Sequence, residues 1–210
     1  MELSLISDIK WCLVSAVFAS LSIVFLAMFQ CSIIDTISVF FYMPLCIVLW
    51  LFFVVVLIMS ILSIRSYKKI GRVSLFPLMV MFAALAIVYF VPFTDLWIKA
   101  DFALYKNDRE RIVKYVYENK LVPNVENNVS LISLGDRYPI VSRGGNEIVV
   151  EEHDGLKYVF FFTFRGVLDN YSGFVYVPNG GNPQNYFDLT ERDTTQIQLL
   201  DGNWYYASHY

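Results

Sequence analysis

The chain has 210 residues, of which 57% are hydrophobic and only 17% are charged, with a formal net charge of −3. Soluble domains carry about 25% charged residues, and the deficit here lies in the first half. Residues 1–100 hold 10 of the 35 charged side chains and none of the 11 asparagines. This asymmetry excludes a single soluble globule, a disordered chain and a basic nucleic-acid-binding protein. The sequence predicts three transmembrane helices followed by a small α+β domain with a mostly antiparallel sheet.

Three uncharged runs define the membrane region, which we place at residues 1–98. They contain 24, 29 and 22 residues and are separated by Asp35 and by the segment 65–72. A helix needs about 20 apolar residues to cross a bilayer, and only a helix satisfies its own backbone polar groups in lipid. We therefore predict spans near residues 11–30, 37–63 and 73–94.

Proline positions refine these spans. The second run is longer than a bilayer requires, so we expect either tilt or a non-helical start before Pro44. Pro77 fits the first turn of the third span, and Pro92 should bend or end it. None of the spans has an ionisable residue in its middle, which argues against a pump or transporter.

Small residues in the spans indicate close helix packing, either within one chain or between copies of it. They form one face of the first span and a cluster in the third: Ser15, Ala19 and Ser22, and Ala83, Ala84 and Ala86. The sequence leaves open whether they also build a homo-oligomer.

The loop between the second and third spans predicts the orientation. Residues 65–72 contain four positive charges and no negative one, so the positive-inside rule places this loop and the N-terminus in the cytoplasm. Three spans then put the C-terminal domain outside the plasma (inner) membrane. Five basic residues between 99 and 114 oppose this orientation, but the loop charges directly adjoin two helix ends.

The domain begins with a predicted stalk helix in residues 99–123. Asn107 and Glu110 resemble a capping box that starts a helix over residues 108–120, and Pro123 ends the segment. We expect this helix to pack against one face of the sheet.

Residues 124–210 carry the strand patterns. Asp154-Gly155 and Asp201-Gly202 are strong hairpin signals, and the strand at 156–164 is apolar on both faces, as a central strand would be. We predict five or six strands, the first four at 138–142, 147–153, 156–164 and 173–177.

Two segments are candidate interaction sites. Arg165 and Asp169 could form a polar site at a sheet edge with Tyr171 and Ser172, although the same residues suit a connecting loop. The aromatic run Trp204, Tyr205 and Tyr206 suits a protein interface or ordinary strands.

No catalytic or cofactor motif is present, and we predict no enzyme activity, no cofactor and no metal site. Acidic neighbours surround His153, but alternating strand side chains cannot converge on one ion. The three cysteines lie in or beside the first two spans, so the domain has no thiolate site.

The leading hypothesis is a membrane-anchored, non-enzymatic sensor or assembly subunit whose domain binds a protein partner or ligand at the membrane surface. A protective protein, either a toxin-immunity factor or a membrane component of an antiphage defence complex, is the first alternative. An oligomeric pore is the second. Residues 101–210 have 15 acidic and 10 basic side chains, which argues against nucleic acid and anionic lipid as partners of the domain.

Overall fold

The structure is a computed structural model, and it describes residues 2–166, 170–184, 186 and 196–209. The chain divides into two compact units, Met1–Trp97 and Ile98–Tyr210. The segment 99–123, predicted as a separate stalk, belongs to the second unit together with the sheet.

The first unit is built around helix α1, Glu2–Ser63, which is interrupted at Ser38 (φ 66°, ψ 156°). A straight helix would separate residues 12 and 60 by about 72 Å. Instead, Cys12 Sγ lies 3.7 Å from Ser60 Oγ. α1 is therefore a hairpin of two antiparallel arms, residues 2–37 and 39–63. Of the two alternatives expected for the long second run, tilt or a non-helical start before Pro44, the structure shows a non-helical residue at Ser38.

Small and large side chains share the interior of this unit. On the first arm, the buried positions recur at alternating spacings of four and three residues, which is the seam expected when helices pack at a shallow angle. These positions are Cys12, Ala16, Ala19, Ile23 and Leu26. They pack against Phe53 and Val56 of the second arm, and against Met81 and Ala84 of the next long helix, which is described below. The predicted face was partly wrong, since Ala19 is buried but Ser15 and Ser22 are only half-buried.

Short helical turns join the second arm to the next long helix. They are a 3₁₀ turn at Ile64–Ser66, helix α2 at Tyr67–Ile70 and a second 3₁₀ turn at Gly71–Leu75. Helix α3, Phe76–Phe90, carries Pro77 in its first turn, as predicted. It ends where Val91 becomes extended before Pro92, so the predicted stop is also confirmed.

Two helical stretches, Ser7–Lys69 and Gly71–Phe90, are long and apolar enough to cross a membrane. Only 17% and 22% of their most apolar windows are buried in the structure. The core helix of a soluble protein would instead be mostly buried.

Helix α4, Phe93–Tyr117, begins earlier than the sequence predicted. Asn107 lies in its interior, so the predicted capping box at this residue is wrong. The helix starts immediately after Pro92, and the sheet-facing side of its later part contains Ile112, Val113 and Val116.

The second unit contains a six-stranded antiparallel sheet, which confirms the predicted α+β class. The strands, in the order β1-β2-β3-β4-β6-β5, are β1 Leu131–Ser133, β2 Glu147–His153, β3 Leu156–Arg165, β4 Tyr171–Tyr176, β5 Gln196–Asp201 and β6 Trp204–His209. β3 is an interior strand with six consecutive buried residues, as its two-sided apolar pattern predicted.

The two hairpins follow the turn chemistry. Asp154 (φ 52°) and Gly155 (φ 73°) occupy the β2–β3 turn, where both central residues need positive φ. The β5–β6 hairpin also forms, but Asp201 pairs with Trp204, so its turn residues are Gly202 and Asn203 and not the predicted Asp201-Gly202.

The predicted strand at 138–142 is wrong. These residues form no strand, and the first strand is β1, which pairs with residues 147–149 of β2. Pro139 cannot donate to a sheet ladder, and the neighbouring Asn146 side chain folds this segment into a loop.

Aromatic side chains fill both faces of the sheet. On the α4 side, Phe102 contacts Phe174 and Trp204, with ring centroids 5.4 and 5.7 Å apart. On the opposite side, Tyr186 stacks on Phe160 at 5.6 Å. Because aromatic rings are buried on both faces of the sheet, this unit has a large apolar interior.

Candidate binding site

Of the four residues predicted as a polar site, the structure describes three, and two of these, Arg165 and Tyr171, are cross-strand partners. Arg165 ends β3, and its Nη1 donates to Glu147 Oε2 at 2.5 Å. Ser172 is buried in β4, with its hydroxyl 2.9 Å from that of Thr163. Tyr171 packs beside Phe160 on the opposite face, and Asp169 lies outside the described residues. The described members of this set are parts of strands and not of an open loop.

The aromatic run of β6 belongs to the core. Trp204 is buried and contacts Phe161 at 5.6 Å on the α4 side. Tyr206 packs beside Phe174 on that same side, whereas the half-buried Tyr205 packs against the other face. Because successive side chains of a strand point to opposite faces, these three rings pack on both faces of the sheet inside the unit.

A buried ion cluster, Asp101, Arg109 and Arg143, was not found by sequence reasoning. Arg109 Nη2 donates to Asp101 Oδ2 at 2.5 Å, and Arg143 Nη2 donates to Asp101 Oδ1 at 3.2 Å. The side chains of Asp101 and Arg109 are 5% and 2% exposed. Burial lowers the pKa of Arg109, and the Asp101 carboxylate opposes that shift.

The same arginine connects α4 to the loop at 134–146. Arg109 Nε donates to Val141 O at 3.0 Å, and its guanidinium lies 4.3 Å from the centre of the Phe174 ring. Every part of this guanidinium therefore has a protein contact, which is the condition for burying a charge. The cluster thus serves to hold helix, loop and sheet together.

Asn146 organises the loop from inside. Its Oδ1 accepts from Val141 N at 3.1 Å, and its Nδ2 donates to the carbonyl oxygens of Gly135, Tyr138 and Pro139. Asn146 itself has a left-handed φ of 53°, which asparagine tolerates better than most residues.

The edge of β1 is covered by a side chain. Asn124 Nδ2 donates to Ser133 O at 2.9 Å, and Ser133 N donates to Asn124 Oδ1 at 2.7 Å. The carboxamide thus replaces a neighbouring strand at this residue. Covering edge strands is a general way of preventing unwanted pairing.

The adjacent end of β2 is not covered in this way. β1 pairs only with residues 147–149, and one further bond joins Val150 N to Ser130 O. Within the described ranges, no strand pairs with the outer side of residues 151–153. Because outward-pointing backbone groups alternate along a strand, the N–H and C=O of Glu152 point to this open side.

A cavity of about 420 Å³ lies beside this open end of β2, and we call the two together the edge groove. Its volume is in the range of small-ligand and side-chain pockets. The walls come from the end of α4, the segment 121–123, the loop at 129–132 and strand β2. Its lining is mostly apolar and includes Val116, Val122, Val129, Ile132 and Val150, with Glu151, Glu152 and Lys157 as the charged members.

Contacts around the edge groove fix its polar groups. Tyr117 Oη donates to Lys157 O at 2.6 Å, and Lys157 Nζ donates to Asn119 Oδ1 at 2.8 Å. Partial burial raises the pKa of Tyr117 to about 12 from its ordinary value of 10.0, so this phenol remains a hydrogen-bond donor above pH 10 as well as at neutral pH. The exposed Glu152 gives the mouth of the groove a negative charge.

No protein family model, curated protein or solved structure matches this chain. Among the described residues, no group of three His, Cys, Asp or Glu side chains could hold a metal ion. The edge groove therefore stands as the candidate site on its own geometry. Sequence reasoning missed it because its walls come from four separate segments, although the acidic pair Glu151-Glu152 marked its position.

Proposed function

We propose that the chain is a membrane-anchored binding subunit, in which three helices cross the membrane and hold an α+β domain at its outer surface for a protein partner. The outward-facing apolar side chains of the first unit are the observation that carries this proposal. Trp11, Phe18 and Phe40 are 70%, 63% and 68% exposed. Such an exterior would aggregate in water but suits lipid.

The lengths of the helical segments support three crossings. The second arm of α1 covers about 37 Å, and α3 with its preceding 3₁₀ turn covers about 32 Å, by the usual helical rises. A bilayer core is about 30 Å thick. Asp35 near the hairpin bend and the basic loop at 65–72 then lie at opposite ends of the second arm, which fits a transmembrane hairpin.

The outward side of α4 supports a position close to the membrane. Leu96 and Leu104 are 53% and 72% exposed on the side away from the buried stripe. Further along that same side, the exposed residues are Asn107, Arg111 and Lys114. This change from apolar to charged residues is typical of a helix that leaves the interfacial region of a membrane.

The binding role of the domain rests on the edge groove. It combines exposed apolar side chains, an open strand edge and negative charge, features that proteins use to recognise other proteins. Val129 at its rim is 90% exposed.

A photo-crosslinking experiment in intact membranes tests this role. A photoreactive phenylalanine derivative replaces Val129 in the full chain, and the matched control places it at Leu199, which is 59% exposed at the opposite edge of the sheet. We expect an adduct with one defined protein, identified by mass spectrometry, from position 129 and not from 199. No adduct from 129, or only adducts between copies of the chain, would contradict the proposal.

A further inference from the structure

We infer that the edge groove binds an extended, basic peptide segment of a partner protein as an added strand beside β2. This inference rests on the proposed function and specifies what the partner contributes. Three features of the groove carry it: an open backbone edge, an adjacent apolar cavity and acidic side chains at its mouth.

The backbone edge supplies hydrogen bonds of a kind that any extended segment can complete. The last pair between β1 and β2 joins Leu131 to Val149, and Val150 N donates one further bond to Ser130 O. Beyond this bond, the backbone N–H and C=O of Glu152 point outward. The neighbouring β1 edge is covered by Asn124. The covered and open parts of this sheet side are thus adjacent, and on this side an added strand would pair beside Glu152.

The cavity determines which side chains fit. Val150 and Glu152 lie on the face of β2 that is turned toward the cavity, opposite Val159 and Lys157 in the β2–β3 register. Alternate side chains of an added strand would point the same way. The cavity walls at Val116, Val122 and Ile132 accept aliphatic side chains of moderate size.

Charge selects the remaining positions of the segment. Glu152 borders the cavity, and Asp154 in the adjoining turn is exposed. The side chain of Glu151, one position earlier, points to the opposite face of β2. The one basic side chain among the lining residues, Lys157, lies opposite Glu152 in the β2–β3 register and donates to Asn119, so the acids Glu152 and Asp154 outnumber it at the mouth. Lysine or arginine residues in the partner complement this mouth, whereas an acidic segment is repelled.

Peptide binding to the full chain in nanodiscs of neutral lipid tests this inference. The probe is a fluorescein-labelled six-residue peptide of alternating lysine and valine, compared with one in which glutamate replaces lysine, and with empty nanodiscs. We expect the lysine peptide to bind at least about tenfold more tightly, because of the charge difference. Equal binding of the two peptides, or none of either, would overturn the inference.

Two variants locate the binding. Glu152→Lys should weaken binding of the lysine peptide by about tenfold, since it reverses a charge at the mouth. Asp136→Lys makes the same charge reversal at another exposed acid, outside the groove, and should leave binding unchanged. Equal effects of the two variants would overturn the location.

Hydrogen exchange gives a readout of strand pairing itself. Binding should slow exchange of the Glu152 amide, because its outward N–H becomes a ladder donor. Unchanged exchange at Glu152 would overturn strand addition. A defined partner crosslinked at Val129 together with failed peptide binding would leave the proposed function intact and reject only this inference.

Discussion

The two units of this chain differ in how many of their large apolar residues face outward. In the helical unit, Ala16 and Ala19 are buried while Trp11 and Phe18 face outward. In the sheet unit, aromatic side chains such as Phe161 are fully buried. The proposed membrane anchor accounts for this difference, because water forces large apolar side chains inward, whereas lipid lets helices pack closely through small ones.

The largest expected effect concerns the polar group buried in the sheet unit. Asp101→Ala leaves Arg109 buried without its carboxylate and should lower the free energy of unfolding by about 3–5 kcal/mol. Urea unfolding of the full chain in detergent measures this change, with proteolytic cleavage of the sheet unit as the readout.

Asp108→Ala is the matched control on the same helix. Asp108 pairs with Arg111 at 3.0 Å in a more exposed position, and its loss should cost about 1 kcal/mol or less. Equal losses for the two aspartates would show that the buried cluster does not stabilise the domain.

An arginine introduced on the exterior of each unit tests directly whether that surface faces lipid or water. Leu51 in the second arm and Leu199 in β5 are 61% and 59% exposed. Leu51→Arg should oppose membrane insertion by about 2.5–3.5 kcal/mol, whereas Leu199→Arg should change stability by about 0.5 kcal/mol or less. The membrane-integrated fraction after alkaline extraction measures the first effect, and equal fractions for both variants would contradict a lipid-facing second arm.

Packing in the helical unit should respond to added volume in its interior and not to removed volume on its exterior. Ala19→Leu should destabilise the bundle by about 1–3 kcal/mol through overpacking. Leu21→Ala removes a side chain that is 63% exposed and should have little effect.

A thiol-reactive dye provides the measurement after Cys31 and Cys46 are replaced by serine. Cys12 is buried beside Ser60, so the dye reacts as the bundle opens on heating. An unchanged melting temperature for Ala19→Leu would mean that the first arm does not pack closely in this unit.

The smallest expected effect is an alkaline one in the sheet unit. Burial raises the pKa of Tyr117 to about 12 from its ordinary value of 10.0. Between these pH values the unfolded chain loses the phenolic proton before the folded chain does, so stability falls as the pH rises. Below pH 10 this contribution is fully present.

Tyr117→Phe should therefore make the decline of stability between pH 10 and pH 12 shallower. It also removes the hydrogen bond to Lys157 O, which should cost about 0.5–1.5 kcal/mol at pH 7. Urea unfolding at pH 7, 10 and 11 measures both effects, and parallel pH profiles of the two proteins would contradict a raised pKa of Tyr117.

Local signals predicted much of the fold. The apolar runs, Pro77, Pro92 and the Asp154-Gly155 turn each act within a few residues, and the structure follows them. The error at 138–142 has a longer-range cause, because Asn146 binds three carbonyl groups of that loop. The local pattern of Pro139, Ile140 and Val141 contains no signal for these hydrogen bonds.

The candidate site was less predictable than the fold. The ion cluster joins residues 42 positions apart in the chain, and its signal was only that Asp101 and Arg109 interrupt the apolar side of a helix. The edge groove depends on where β1 stops pairing, and strand ends are set by tertiary contacts. The aromatic run at 204–206 suited either an interface or ordinary strands, and the structure places it in strand β6 with Trp204 buried in the core.

Sidedness of four single cysteines is the most direct test of the account. Each is placed at an exposed position, Asp8, Asp35, Lys68 or Glu126, in a chain whose native cysteines are replaced, and intact cells are treated with a membrane-impermeant thiol reagent. Three crossings with an external domain predict labelling at 35 and 126 before lysis, and at 8 and 68 only after lysis. Labelling of 68 and 126 from the same side would contradict the membrane-spanning role of α3 and with it the proposed anchor.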